Sequence, residues 1–362
     1  MGRVGRQRTF MLALWLLAFL VAVPAVQANI PQELIDAACA EGALVIYSGA
    51  GLDRTLQFAE MFSEVFPCIR TEVVRQASHQ LHTRFLTEQR AGQYLADIIM
   101  HGNPGIFIQE LVEGGFIAEY DHGHDEFYPD SLKVRNYAYP IFVYYIGPAY
   151  NPFLVTPQEA ALLDSWEGIT SPVWRGRMGL SVPSAGGTSY SAPYIFLRAR
   201  RDEYGPEFMA RVAANNPLFF TSQIPAHQMV VSGEIHLHPW GTSSTTGDLL
   251  QQGAPIAMKF PAPTPAVPTI AGMAKNAPHP NAARLFMRWA FSEEGQRASM
   301  DAFNTPVAYE TLSHLPPPGY ERMPGGWQPP RELLEIDWED FDASLDAVVS
   351  EWNRIFGYLE SR

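Results

Sequence analysis

The sequence has little positive charge and only two cysteines, and after its first 28 residues it has no long apolar run. Its 362 residues carry 25 Lys and Arg against 38 Asp and Glu, which gives a formal net charge of −13 at pH 7. This excess of negative charge repels nucleic acid and anionic lipid, so it argues against DNA, RNA or membrane-surface binding. Repeats and low-complexity tracts are also missing, and 47% hydrophobic residues predict a folded globular protein.

Residues 1–28 have the composition of a secretory signal peptide. Three arginines within the first eight residues precede an apolar run from Phe10 to Val23, and small residues lead to Ala28. The run is shorter than the roughly 20 residues that span a bilayer, so we prefer a cleaved signal to a membrane anchor. We expect the mature chain to begin at Asn29 and to be soluble in the periplasm.

The two cysteines, Cys39 and Cys68, are an isolated pair in a chain that is expected to fold in an oxidising compartment. Cys39 ends a short helical segment before one apolar strand, and Cys68 lies just before the next. Neighbouring strands would place both cysteines at one end of a sheet. We therefore favour a disulfide that staples the fold over two buried thiols.

The first half of the chain alternates strands and helices. Apolar strands at residues 43–47, 69–74 and 96–102 are separated by amphipathic helices at 52–66 and 79–92. Continuous apolar strands joined by helices indicate parallel strands that are covered on both faces. The sequence therefore predicts an α/β fold, in which ligands bind outside the carboxyl ends of the strands.

A second unit with the same pattern follows the aromatic stretch 137–150, which reads as a strand leaving the first unit. Residues 255–274 are extended and rich in proline, as expected of a returning crossing. We predict two lobes, each a mainly parallel sheet flanked by helices: residues 29–142 with 262–362, and residues 143–261.

The end of the chain predicts one long amphipathic helix, from Phe341 to Leu359, whose apolar residues recur every three or four positions. Packing on its own lobe is the commoner fate of such a face, so we prefer it to partner binding. The proline-rich segment from Pro316 to Pro330 is expected to be a surface connection.

Several blocks of this sequence resemble a known family. They are EGALVIYSGAG, RFLTEQRAGQYLADIIM, YPIFVYY, SAGGTSYSA, KNAPHPNAARLFMRWAFSEEGQ and IDWEDFDASLDAVVSEWNRIF. In this order they resemble the bacterial extracellular solute-binding proteins of ABC importers, in the type 2 branch with iron(III)-binding and aminoethylphosphonate-binding members. The resemblance implies two lobes that close on a solute and present it to a membrane permease and its ATPase. It implies a monomer, with no cofactor and no nucleic acid partner.

The loop before the helix in the second lobe is the strongest candidate for solute binding. Its glycines let the backbone approach a ligand, and free amides at a helix N-terminus favour an anionic group. The alternative is a tight turn with a serine cap. Together with the strand ends, the candidates are Ser48, Gly49, Ala50, Gln76, His101, Gly102, Asn103, Tyr139, Ser184, Gly186, Gly187, Thr188, Ser189, His238, Trp240, Gly241, Thr242 and Ser243.

Two of these candidates have competing interpretations. Trp240 is either a wall of the cleft or a packed core residue, and the sequence does not separate the two. Iron-binding relatives use adjacent tyrosines after the strand that reads GEIHLHPWG here, usually with a histidine in the first loop, and this chain has neither. His236 and His238 could face one way as a metal pair, but no third ligand is visible, so we expect no metal.

An enzyme is the competing class of protein. Residues Gly187 to Ser191 approach a G-x-S-x-G nucleophile elbow, but the last glycine is replaced by serine. HExxH and P-loop motifs are missing from the sequence. We therefore expect capture of a small polar, anionic solute rather than catalysis. A ferric-binding protein, a periplasmic hydrolase and a sensory receptor subunit remain as alternatives.

Overall fold

The computed structural model describes residues 30–76, 78–185 and 187–358. The predicted signal peptide, Gly186 and Leu359 lie outside the described residues. Within these three ranges, no helix combines the length and the apolarity that a membrane crossing requires.

The first lobe is built on a sheet with the strand order β2-β1-β3-β9-β4. Its strands are β1 (Ala43–Ser48), β2 (Arg70–Arg75), β3 (Ile98–His101), β4 (Tyr139–Tyr150) and β9 (Thr264–Met273). The first three strands are parallel, as predicted, and β9 runs antiparallel to both β3 and β4. The carboxyl ends of β1 and β3 therefore lie side by side at one edge of the sheet.

Helices cover both faces of this sheet, because successive side chains along each strand point to opposite faces and both faces are apolar. Leu44 and Ile46 of β1 belong to one apolar cluster, and Tyr47 belongs to another on the opposite face. The helices are α1 (Gln32–Glu41), α2 (Leu52–Val65), α3 (Ser78–Arg90), α4 (Pro104–Ile106, continued by a π-helical turn Phe107–Val112), α10 (Pro280–Ala290) and α11 (Glu293–Phe303). A disulfide joins Cys39 and Cys68, whose Cα atoms are 5.2 Å apart.

Two long strands connect the lobes. The first part of β4, residues 139–145, pairs with β9, and its second part, residues 146–150, pairs with β7 (Leu237–Thr242). These two parts belong to different apolar clusters. Beside them lie β8 (Ala257–Met258), which pairs with β4, and β10 (Leu333–Leu334), which pairs with β9. The predicted crossing segments are thus present as strands.

The second lobe surrounds a smaller sheet. Here β5 (Gly179–Ser181) and β6 (Leu218–Phe220) are parallel, and a single bridge links Met178 to Leu237 of β7. The buried side chains of Trp166, Trp174 and Trp240 contribute to its core. Its helices are α5 (Pro157–Leu162), α6 (Gly187–Tyr194), α7 (Gly205–Ala213), α8 (Gln223–Ser232) and α9 (Ser243–Gln251).

The end of the chain differs from the prediction in two respects. It forms two helices, α12 (Trp338–Ala343) and α13 (Leu345–Phe356), which meet at Ser344, whose hydroxyl donates to the Asp340 carbonyl. The predicted division placed these helices with the first lobe, but α13 packs against α6 and α7 of the second. Its Trp352 is fully buried there.

The proline-rich segment is also more than a surface connection. Tyr320 is fully buried, and its hydroxyl donates to the Ser243 carbonyl at the beginning of α9. Arg322 donates to the Gln251 carbonyl at the other end of the same helix. The segment therefore contacts both ends of α9 and holds this helix in position. The prolines in the sequence did not indicate these contacts.

Candidate functional site

The first lobe brings its loops together around Ser78, the first residue of α3. The Ser78 hydroxyl oxygen lies 3.4 Å from the Gly102 amide nitrogen, which follows β3. On its other side is Gly49, where an added Cβ would lie only 2.4 Å from the same oxygen. Glycine is therefore required at position 49 for the β1 loop to approach α3. The sequence reasoning missed Ser78, although this residue opens the helix that follows β2.

Buried side chains hold these loops in place. The His101 ring is buried, with Nε2 3.1 Å from the Ser78 carbonyl oxygen and Nδ1 3.1 Å from the Asn103 amide nitrogen. The buried Ser48 hydroxyl accepts the amide N–H of Ala50 and lies 2.9 Å from the Thr55 hydroxyl. Ser48 and His101 thus shape the edge, while Gly49, Ala50 and Gly102 are at least partly exposed along it.

Two further first-lobe candidates lie beside this edge. Asn103 caps α4, because its side-chain oxygen accepts the Ile106 amide N–H, and its amide group donates to Asp342 of α12. The Gln76 side-chain oxygen is buried and has no hydrogen-bond partner in the described part of the chain. This oxygen can only accept a hydrogen bond, so it suits a donor group rather than an oxyanion.

The second lobe presents the N-termini of α6 and α9. A short 3₁₀ turn, Pro183–Ala185, leads into α6. Ser184 in the turn is exposed, whereas in α6 Thr188 is partly buried and Ser189 is buried. The Gln223 amide group donates to the Ser189 hydroxyl over 3.4 Å. The backbone amides of the first turn of α6 have no earlier helical carbonyl to bond, so they favour an anion.

The junction between β7 and α9 is tightly packed. An added Cβ at Gly241 would lie 2.8 Å from the Ala149 Cβ and 2.9 Å from His227 Nε2. The Thr242 hydroxyl donates to the Thr245 hydroxyl over 2.9 Å. Close packing here requires glycine at position 241, which brings the first turn of α9 up against the crossing strand β4.

Four predicted solute contacts are core residues instead, namely Trp240, Ser243, Tyr139 and His238. Trp240 is fully buried and donates its indole N–H to the Ser181 carbonyl, which settles its two interpretations in favour of the core. The buried Ser243 hydroxyl accepts the Tyr145 amide N–H at the lobe crossing. The Tyr139 hydroxyl donates to Asp125, and burial followed by that carboxylate raises the pKa of Tyr139 above its ordinary value.

His236 and His238 do not act as a metal pair. His238 is fully buried, with Nε2 2.8 Å from the Gln223 side-chain oxygen and Nδ1 2.9 Å from the Gly179 carbonyl oxygen. His236 accepts a hydrogen bond from Arg177. Burial lowers the pKa of both rings, and does so strongly for His238. Among the described residues, no group of three or more His, Cys, Asp or Glu side chains is arranged to hold a metal.

Polar contacts join the lobes on both sides of the crossing strands. Arg54, at the start of α2, forms an ion pair with Asp248 of α9, whose carboxylate also accepts from Asn304. On the other side, Asn103 of the first lobe donates to Asp342 over 3.1 Å. These contacts hold the loop edge of the first lobe against the helices that carry the edge of the second.

A cavity of about 580 Å³ lies beside the second of these contacts. Its walls include Pro104 and Ile108 from the first lobe, Ile270 of β9, and Trp338 of α12. The predicted solute residues are not among its lining residues, so the cavity is separate from the two polar edges.

Comparison with known proteins places this geometry in a family. Residues 93–328 match the family of bacterial extracellular solute-binding proteins. An uncharacterized protein from Haemophilus influenzae is 23% identical over 336 residues, which cover 86% of this chain and 90% of the relative.

Solved structures share the fold at low identity. The iron-bound protein HitA from Pseudomonas aeruginosa is 17% identical, with a TM-score of 0.65, over 86% of this chain and 99% of that chain. The periplasmic binding protein AfuA from Actinobacillus pleuropneumoniae, with fructose-6-phosphate bound, is 19% identical, with a TM-score of 0.60, over 88% and 99%. These similarities confirm the two-lobed α/β fold. The chain belongs to the bacterial extracellular solute-binding protein family, as its sequence blocks indicated.

Proposed function

We propose that this protein is the periplasmic substrate-binding component of an ABC transporter for a small anionic organic solute. The solute carries a carboxylate, phosphonate or phosphate ester and binds between the lobes. The protein then delivers it unchanged to the permease and its ATPase in the inner membrane, and it works as a monomer. The observation that carries this proposal is the chemistry of the two edges, since each of them presents hydroxyl groups and backbone amides.

The donors on both edges suit an oxyanion. On the first lobe the Ser78 hydroxyl accepts from the Gly102 amide and keeps its own hydrogen to donate, and on the second lobe Thr188 and Ser189 lie in the first turn of α6. Hydrogen bonds from such groups to an ionised oxygen are stronger than those between neutral groups. The overall negative charge does not oppose this binding, because distant surface charges are screened within about 8 to 10 Å.

A ferric ion suits these edges less well. Its binding requires ligands that give up a proton or offer a lone pair, whereas hydroxyls and backbone amides act here as donors. His236 and His238 next to this region already have hydrogen-bond partners in the protein. The structure of AfuA with fructose-6-phosphate supports a phosphate ester as the first compound to test.

A thermal-shift screen of the mature chain tests the proposal. The panel contains carboxylates, phosphonates, inorganic phosphate, fructose 6-phosphate, neutral sugars and ferric ion. An anion at about 100 times its dissociation constant should add roughly 2.7 kcal/mol to the free energy of unfolding. Replacing Thr188 and Ser189 with alanine should weaken that shift. The control Thr87→Ala, at an exposed position of α3, should leave it unchanged. Stabilisation by ferric ion alone, or an unchanged shift in the double variant, would contradict the proposal.

A further inference from the structure

A buried chain of polar groups lies directly behind Ser189. The Gln223 amide nitrogen lies 3.1 Å from the Trp240 carbonyl oxygen and 3.4 Å from the Ser189 hydroxyl oxygen. Its side-chain oxygen lies 2.8 Å from His238 Nε2. All four residues are buried, so water does not replace these bonds.

The Trp240 carbonyl fixes the direction of this chain. A backbone carbonyl can only accept, so the group that faces it over 3.1 Å must be the NH₂ of Gln223 and not its oxygen. Reversing the amide would place two carbonyl oxygens in contact within the core, with no proton between them. The Gln223 oxygen therefore faces Nε2 of His238, whose neutral ring carries one proton and donates it either to this oxygen or to the Gly179 carbonyl.

This direction determines what Ser189 can do. The Gln223 NH₂ group has only hydrogens to offer, so the Ser189 oxygen acts as the acceptor in this pair. The hydroxyl hydrogen of Ser189 must then point away from Gln223. No hydrogen bond from it to a described residue is present, so it remains available to a solute at the first turn of α6.

We propose that Gln223 is a positioning residue that sets the Ser189 hydroxyl as a donor toward the solute. This inference rests on the proposed function and narrows it. The solute must present a hydrogen-bond acceptor to Ser189, and the oxyanion of the proposed solute is the strongest acceptor of this kind. An ammonium group at the same position has no lone pair to accept this hydrogen, and a neutral hydroxyl accepts it more weakly than an oxyanion does.

A double-mutant cycle on the full mature chain tests the inference. Binding of fructose 6-phosphate and inorganic phosphate is measured by titration calorimetry for S189A, Q223M and the double variant. S189A should weaken anion binding about tenfold or more, since one hydrogen bond to a charged group is lost. Q223M should weaken it several-fold in the presence of Ser189 and by less than about twofold in the S189A background.

Q223E adds a second test that does not depend on Q223M folding. A glutamate carboxylate accepts from the Ser189 hydroxyl and so turns the hydrogen away from the solute. Q223E should therefore weaken anion binding more than Q223M does. Affinity for the anions equal to that of the unchanged protein would overturn the inference.

Q296M is the matched control. Gln296 is a buried glutamine of the first lobe that donates to the Ala290 carbonyl over 3.0 Å. Its loss should lower the melting temperature without changing affinity. If S189A weakens binding but Q223M behaves like Q296M, or if Q223M acts equally with and without Ser189, the positioning role is wrong and the proposed function stands. If the unchanged protein binds neither these two anions nor any other anion of the thermal-shift panel, both fail.

Discussion

Acidification should destabilise the first lobe through one histidine. His122 is fully buried, and neither ring nitrogen has a hydrogen-bond partner in the described ranges. Its ring lies 4.0 Å from that of Tyr139 and 5.0 Å from that of Phe291, measured between centroids. Burial, helped by the nearby charge of His124, lowers the pKa of His122 from 6.5 to about 3. The folded protein therefore keeps this ring neutral where an unfolded chain would protonate it.

The sign and size of the effect follow from that difference. Because the unfolded chain binds the extra proton, stability is fully present above pH 6.5 and is lost as the pH falls toward about 3. The complete loss amounts to about 5 kcal/mol, of which about 2 kcal/mol is already lost at pH 5. His122→Phe removes the titrating group and should make the protein less sensitive to acid by these amounts.

Urea denaturation at pH 7.5 and pH 5.0 measures this effect. The free energy of unfolding of the unchanged protein should fall by about 2 kcal/mol more than that of His122→Phe over this interval. Other histidines are common to both proteins and cancel in the comparison. Phe291→Leu in the same aromatic cluster is the control, because its cost should be the same at both pH values. Equal losses in the unchanged protein and in His122→Phe would refute the reasoning.

Three further changes have expected outcomes. Replacing both Cys39 and Cys68 with serine should lower the free energy of unfolding by roughly 3 to 4 kcal/mol, since the bridge closes a loop with a sequence separation of 29; urea denaturation would show this, and an unchanged midpoint would contradict it. Asp248→Asn removes the ion pair with Arg54, but both side chains are about one-third exposed, so the same assay should show a loss below about 1 kcal/mol. Gly49→Ala forces a Cβ against the Ser78 hydroxyl, so the free energy of anion binding, measured by calorimetry, should weaken by more than the free energy of unfolding. Unchanged affinity would remove this loop from the site.

Much of the fold could be predicted from the pattern of apolar residues. Short apolar strands between amphipathic helices predicted that β1, β2 and β3 run parallel, which the structure confirms. The aromatic run at 137–150 predicted the crossing strand β4, because a strand that passes from one lobe to the other is long and apolar throughout. The break at Ser344 could not be predicted, because the apolar periodicity continues through it.

The site was harder to predict than the fold. Position at a strand end identified the right loops but not the direction of each side chain. Trp240 and His238 were expected at the end of a strand, yet they lie within β7 and face inward, where Gln223 of α8 bonds to both. Ser78 was missed for the opposite reason. Its importance comes from the approach of Gly49 and Gly102, which only the pairing of β1 with β3 brings about.

Native mass spectrometry of the mature chain tests the central claim most directly. The protein is incubated with the anion that stabilises it most, transferred to volatile buffer and weighed, and the solute is then released by denaturation. Capture between two lobes predicts one solute per chain, recovered with its mass unchanged. A chain that retains no anion, or one that releases a chemically altered product, would contradict the account.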